Sequence, residues 1–388
     1  MTAPGEFFLG GLLQSEYRYY TESDREDNRF DIRRAQVELT GQFTDWLKFN
    51  IEGEFKSNTS DHLLDTFGEA SYKEHSIRIG QFKKPFGLEQ QSEESAICFA
   101  ERSMGYFLSP HRGVGVGYKG AINPFLFCSA GFFNTEDDDA SKSGDDHDNP
   151  EGVGRILIKP FAGLSDGSFG TLQIGGSGAY ANLNLSDMEF SAKSTGMIDT
   201  DLNLYVLTHN TKFGVLQDVG NRYRHGFESA WAFRSCLFQA EYIHLKYTSL
   251  KPSGSPQQDA IFSSWYVSAA YWLTGENPEL DMSTPIPIRP LHPFNPGSSC
   301  YGAFGVSARL DHFNGDEDWI NPDAYVSVKD ADGISLACNW VLFPMHRVIL
   351  DYTRTDFSDP LRVRVNTDGS VDYIDTENVI TIRYSIDF

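Results

Sequence analysis

Arg33 and Arg34 are the chemistry-bearing residues whose spacing says most about this chain. In FDIRRAQVELTG (30–41) the apolar residues Phe30 and Ile32 take even positions, while Ala35, Val37, Leu39 and Phe43 take odd ones. The phase flips at the two arginines. One extra residue in a strand, a β-bulge, produces such a flip and turns both guanidinium groups to the same face. A guanidinium donates two parallel hydrogen bonds to the oxygens of an oxyanion and stays charged at any working pH. Arg309 stands opposite Phe304, Val306, Ala308 and Leu310, and so shares a polar face. Arg78, Lys83, Lys84, Arg112, Arg222 and Arg224 complete the set of candidate anion contacts. In a passage that strips water from an ion, two charges about 4 Å apart at an effective dielectric near 20 interact by roughly 4 kcal/mol. A few such residues decide which sign of charge enters.

The same faces carry acids. Glu38, Glu52, Glu54, Asp65, Glu69, Glu228 and Glu241 all alternate with apolar residues, so some must pair with the arginines. Such pairing is also the plainer reading of each arginine, and loop anchoring is the plainer reading of Lys83, Lys84 and Arg102. The acidic run Glu136-Asp137-Asp138-Asp139, continued by Asp145, Asp146 and Asp148, could offer oxygens to calcium but lacks EF-hand spacing and reads as a solvated loop. No histidine spacing suits a metal, no cofactor motif occurs, and the sequence shows no G-x-S-x-G, H-E-x-x-H or phosphate-cradling glycine loop. Enzymatic chemistry is therefore not expected.

The elements that must position these charges are strands. At the carboxyl end Ile380, Ile382, Tyr384, Ile386 and Phe388 alternate with Thr381, Arg383, Ser385 and Asp387 without a fault. Residues 46–56 do the same, and Thr44-Asp45 joins them to 30–43 as a hairpin. Period two predicts strands near 5–20, 30–43, 46–56, 62–74, 76–83, 112–119, 124–134, 153–161, 170–182, 223–233, 236–248, 260–273, 300–312, 333–343, 347–357 and 377–388. Short turns such as 233–235 and 343–346 fall at one end and most long polar loops at the other, the arrangement of an outer-membrane barrel. The expected fold is all-β: one transmembrane antiparallel barrel of about sixteen strands occupying 1–388. The stretch 84–111 holds Ile97, Cys98 and Phe99, too apolar to wave in water, and is expected inside the barrel. The loop 183–221 could also fold inward, and 275–299, with Pro278, Pro285, Pro287, Pro290, Pro293 and Pro296, reads as a stiff plug or rim segment.

Composition agrees. Fourteen per cent of the residues are aromatic and 35 are glycine, which favours strands and tight turns. A net charge of −22 argues against nucleic acid. No apolar run is long enough for a membrane-spanning helix, whereas a barrel strand needs only every second residue to face lipid. The amino end lacks a secretory signal, and a mature chain with an added Met is the expected reading. Five scattered cysteines form neither a zinc pattern nor a disulfide framework.

The run RIGQFKKPFGLE (78–89), ERS (101–103) and RGVGVGY (112–118), with FDIRRAQVELTG, GFESAWAF and FQAEY (226–242), YWLTGE (271–276) and GAFGVSARL (302–310), resembles the phosphate- and polyphosphate-selective porins of Gram-negative outer membranes. The resemblance covers most of the chain. It implies a sixteen-stranded barrel, a homotrimer, a third loop folded in as a constriction, and passive diffusion of small oxyanions past an arginine ladder. Arg33, Arg34, Arg222, Arg224 and Arg309 fall in the matching ladder segments, and Lys83 and Lys84 at the entry to the constriction loop, where the family often has an acid in place of Lys84. The partners so implied are small phosphate-class anions and the lipid and lipopolysaccharide of the outer membrane. Two alternatives stay open: a general or cation-tolerant porin, which the net charge favours, and a soluble secreted all-β binding protein.

Overall fold

A computed structural model describes residues 5–21, 28–56, 63–135, 149–164, 168–184, 189–321, 326–365 and 368–388. The acidic run considered for calcium lies outside the described residues.

Sixteen strands form the wall: β1 (Phe7–Tyr20), β2 (Arg29–Thr44), β3 (Leu47–Glu54), β4 (Leu63–Tyr72), β5 (His75–Lys83), β6 (Arg112–Asn123), β7 (Leu126–Phe133), β8 (Glu151–Ile158), β9 (Thr171–Asn182), β10 (Asn221–Phe233), β11 (Cys236–Pro252), β12 (Gln258–Trp272), β13 (Ala303–Asn314), β14 (Asp330–Phe343), β15 (His346–Val365) and β16 (Val371–Asp387). Each pairs antiparallel with its neighbour, and β16 returns to pair with β1 from Leu12↔Asp387 to Tyr20↔Val379. Closure removes every sheet edge, which is what a strand-built wall in lipid requires, since no water is there to satisfy free backbone groups. Among the described residues no helix is long and apolar enough to cross a membrane.

Alternation sorts the side chains. Ile77, Ile79, Val116, Ile156, Val267, Val306, Leu310, Ile334, Leu350 and Ile382 are exposed on the outside. Towards the short-turn rim this apolar band meets aromatic residues Trp231, Phe238, Tyr271, Phe304 and Trp340, and towards the long-loop rim Tyr180, Tyr223, Trp265 and Tyr352. Phe304 and Trp340 stack at 5.6 Å, and the Trp231 indole N–H donates to the Phe169 carbonyl at 2.8 Å. An apolar belt between two aromatic girdles, around a polar interior, is the surface of a barrel that sits in a bilayer.

All sixteen expected strands are present, with ends shifted by a few residues. The largest change is the last hairpin, where 347–357 and 377–388 extend to His346–Val365 and Val371–Asp387. Pro360 hides that extension in the sequence, and the register does shift between Asp356 and Leu361. The bulge expected at Arg33-Arg34 is there: Gln14 pairs with Arg34 and Ser15 with Ile32, leaving Arg33 as the extra residue.

Three segments enter the barrel. The β5–β6 connection, 84–111, carries a short helix α1 (Leu88–Gln91) and packs Phe86, Met104 and Leu108 into the main hydrophobic cluster. The β9–β10 connection folds a small hairpin, Phe190–Ala192 with Tyr205–Leu207, against Tyr247, Phe262 and Phe313 of β11–β13. At the short-turn end, 275–299 reaches in from the rim: the Phe294 amide bonds the Leu342 carbonyl at 2.8 Å, and Arg155 and Gln173 hold the carbonyls of Ser283 and Asp281. These segments fill the side of the lumen against β9–β16 and β1, and leave the side against β2–β8 open.

Candidate pore and its charged lining

The inward loop is fixed by the wall's own charges. Glu101 accepts from Arg18 at 2.8 Å, Arg33 at 2.8 and 3.1 Å, and Arg383 at 2.5 Å. Burial alone would raise the Glu101 carboxyl, but Arg33, Arg383 and Arg18 outweigh it and hold it well below the usual carboxylate range. Glu94 shows the same balance: burial opposes ionisation, and Arg102, Arg34 and Lys83 overcome it. Around α1 the amides of Leu88 and Glu89 donate to Glu241 at 2.9 and 3.1 Å. Further along, Arg347 holds the Ile97 carbonyl at 2.7 Å, Asn339 that of Cys98 at 2.9 Å, and Arg309 that of Glu101 at 3.0 Å.

A pattern recurs three times inside the barrel: one carboxylate faced by three cations. Glu101 has Arg18, Arg33 and Arg383. Glu151 has Lys84 at 2.8 Å, Arg222 at 3.2 Å and Arg224 at 3.0 Å. Glu69 on β4 has Lys48 of β3 at 2.9 Å, Arg78 of β5 in contact, and Lys119 of β6 at 3.8 Å. At Glu69 this leaves an excess of two positive charges among the described residues, although the whole chain is strongly acidic, whereas the arginines at Glu101 are also faced by Glu16 and Asp199. The first two are buried. The third opens to water, with the Lys48 and Lys119 side chains 44% and 43% exposed while Glu69 is 3% exposed.

The open side of the lumen consists of two connected cavities. One, about 850 Å³, runs from Arg33, Arg34 and Arg112 down past Glu94 and Ser95 of the loop to Arg289 and Asp387. The other, about 390 Å³, lies against β3–β8 and is lined by Lys48, Arg78, Lys119, Arg155 and Asp281. They share Glu38, Asp65, Lys83 and Glu93, which mark the waist.

Of the nine expected contacts, Arg33, Arg34, Arg78, Lys83 and Arg112 line these cavities. Arg34 also bonds Gln14 at 2.8 Å and Glu94 at 3.1 Å, Arg112 bonds Asp65 at 2.7 Å, and Lys83 donates to the Ser92 carbonyl at 3.0 Å. Lys84, Arg222, Arg224 and Arg309 point inward as alternation places them, yet they stand behind the loop and away from the open side. Lys84, Arg222 and Arg224 are buried on Glu151, and Arg309 lies under the loop with its guanidinium 4.6 Å from the Phe99 ring. Arg18, Lys48, Lys119, Arg155 and Arg383 were not among the nine. Their signal was the same alternation, and only the path of the loop separates those that anchor from those that face water. The mixed wall expected from the acids is present: Glu69, Glu228 and Asp65 are paired with cations.

A closed sixteen-stranded barrel with an apolar belt, a charged lumen and a loop narrowing it defines an outer-membrane porin. The phosphate-selective porin O and P family matches the chain over residues 7–388, and the chain belongs to that family. Porin O of Pseudomonas aeruginosa PAO1 is 25% identical over 381 residues, covering 90% of this chain and 82% of that protein. Among solved structures, the trimer form of OmpT from Vibrio cholerae matches with a TM-score of 0.58 at 12% identity, over 99% of this chain and 100% of that one. The anion-selective porin from Comamonas acidovorans matches with a TM-score of 0.57 at 11% identity, again over 99% and 100%. The protein is an outer-membrane porin of the Gram-negative type.

Proposed function

We propose that this porin passes small oxyanions of the phosphate class by diffusion, with Lys48, Arg78 and Lys119 as the open binding cluster. The observation that carries this is the three-to-one excess of cations at Glu69, facing an open cavity of about 390 Å³. Arg33, Arg34, Arg112 and Lys83 stand above it as entry contacts, and several weak sites in a row allow exit as well as entry. The family's name supports phosphate as the solute. No bond is made or broken in this reading. A homotrimer is proposed because a structural neighbour is described in a trimer form, and the apolar belt is proposed to face lipid and lipopolysaccharide.

The test is a planar-bilayer recording of the purified porin across a KCl gradient, repeated with added phosphate. A reversal potential on the anion side and a chloride current reduced by phosphate are expected, with the phosphate effect weakened in K48Q/K119Q. Cation preference without a phosphate effect would overturn the reading and leave a cation-tolerant porin.

A further inference from the structure

The carboxylates of the passage behave differently from those that anchor the loop. Glu38 of β2, Glu52 of β3 and Glu93 of the loop have no cationic side chain within 4 Å among the described residues, although each lines the open side of the lumen. Glu38 and Glu52 are direct cross-strand partners, and Asp65 lies beside them, its amide 3.4 Å from Glu52. In the same register the pair Gln42↔Lys48 sits four residues nearer the short-turn rim, about 13 Å along the strands. A small cavity therefore presents a carboxylate arc at its upper end and the Lys48, Arg78 and Lys119 cluster at its lower end.

Unpaired carboxylates at the waist of an oxyanion passage repel a simple oxyanion, and like charges with no partner in a narrow space cost both ions and protein. They become an attraction when the solute carries a cation next to its anion. The Lys83 ammonium, held only by the Ser92 carbonyl among its described contacts, completes a ring of mixed sign at this level.

We infer that the passage selects small zwitterionic phosphates, molecules with an ammonium group and a phosphate on one short skeleton. The ammonium faces Glu38, Glu52 and Glu93 as the molecule crosses the waist, where Lys83 meets its phosphate, and the phosphate then passes on to Lys48, Arg78 and Lys119 further along the strands. This inference rests on the oxyanion reading of the lower cluster and adds the second charge that the waist recognises.

The experiment measures block of chloride current through the full-length porin by three probes at neutral pH: inorganic phosphate, n-propyl phosphate and 2-aminoethyl phosphate. The last two differ in one methyl group replaced by an ammonium. One added ion-pair contact in a wet site makes 2-aminoethyl phosphate about two- to fivefold tighter than n-propyl phosphate. That advantage disappears in E38Q/E52Q, while block by inorganic phosphate persists or strengthens. E93Q, on the loop and outside the wall, gives a partial loss and serves where the double variant does not insert. Equal block by the two organic phosphates in the wild type, with phosphate still blocking, overturns this inference alone. An advantage that survives both variants overturns the assignment to these carboxylates. Absence of block by any of the three removes the oxyanion reading and this inference together.

Discussion

Replacing Glu101 by glutamine keeps the shape of the constriction loop and removes the one charge that Arg18, Arg33 and Arg383 share. Breaking a buried ion pair from one side costs about 3–5 kcal/mol, because the remaining charge stays buried without compensation. The lower end of that range applies here. Arg18 and Arg383 keep Glu16, and Arg33 keeps Asp199 at 3.6 Å. A loss of about 3 kcal/mol shifts the docking equilibrium of residues 100–103 roughly a hundredfold towards release. The loop stays tethered through Glu241 at α1 and through Arg347 and Asn339 further on, so the opening is local. Single-channel recording reads it directly: E101Q shows larger conductance, flickering between two levels, and stronger anion preference as Arg33 turns from the loop to the passage. Recordings of E101Q identical to wild type in conductance, noise and reversal potential would refute the view that this carboxylate holds the loop.

Three further outcomes follow from the same geometry. E151Q leaves Lys84, Arg222 and Arg224 facing one another and lowers the temperature at which the heat-resistant folded band disappears on a gel, whereas K84M, which leaves Glu151 with two arginines, lowers it less. Glu101 and Glu94 have depressed pKa values in the folded state, so their contribution is present above the ordinary carboxylate pKa and is lost only as pH falls through the depressed values. Glu89, which burial pushes up despite Arg309 and Ser103, works in the opposite sense, since its protonation relieves the docked state. Channel noise should therefore stay flat or fall on mild acidification and rise only well below pH 4 or so; noise rising near pH 6 would contradict this. Gly87 has φ +65°, and a Cβ there would come within 2.2 Å of a Glu241 carboxylate oxygen, so G87V should displace α1 from Glu241 and raise conductance.

Much of the barrel was legible because alternation is a local property. Each strand reports its own two faces, and the flip at Arg33-Arg34 even located a bulge. The third loop betrayed itself by Ile97, Cys98 and Phe99, residues that need cover, while the β9–β10 connection showed only its length, and the structure adds that Phe190, Tyr205 and Leu207 are what it buries. What alternation cannot tell is which inward cations stay wet. Arg309 and Arg78 look alike in sequence, both polar positions between apolar ones, yet the first lies under the loop and the second faces the cavity. The deciding contacts join residues far apart in the chain: Arg383 and Glu101 are separated by 282 positions, Lys84 and Glu151 by 67. No periodicity carries such a pairing.

The bulge has a meaning for any change in the length of β2. Arg33 is the unpaired residue that lets Asp31 and Arg33 share the interior with Arg34, Gln36 and Glu38. Deleting it leaves Gln14↔Arg34 and Ser15↔Ile32 as consecutive regular pairs, so Arg29–Ile32 keep their faces while the guanidinium and the bulge are both lost. Inserting one residue next to Arg33 has the opposite effect: Phe30 and Ile32 turn to the water and the Asp31 carboxylate turns towards lipid or its headgroups, where a charged group can cost up to a few kcal/mol depending on depth. A neutral substitution at the same position leaves the faces as they are. Comparing deletion with neutral substitution separates the work of the guanidinium from that of the bulged backbone, which takes up one residue of length without disturbing either half of the strand.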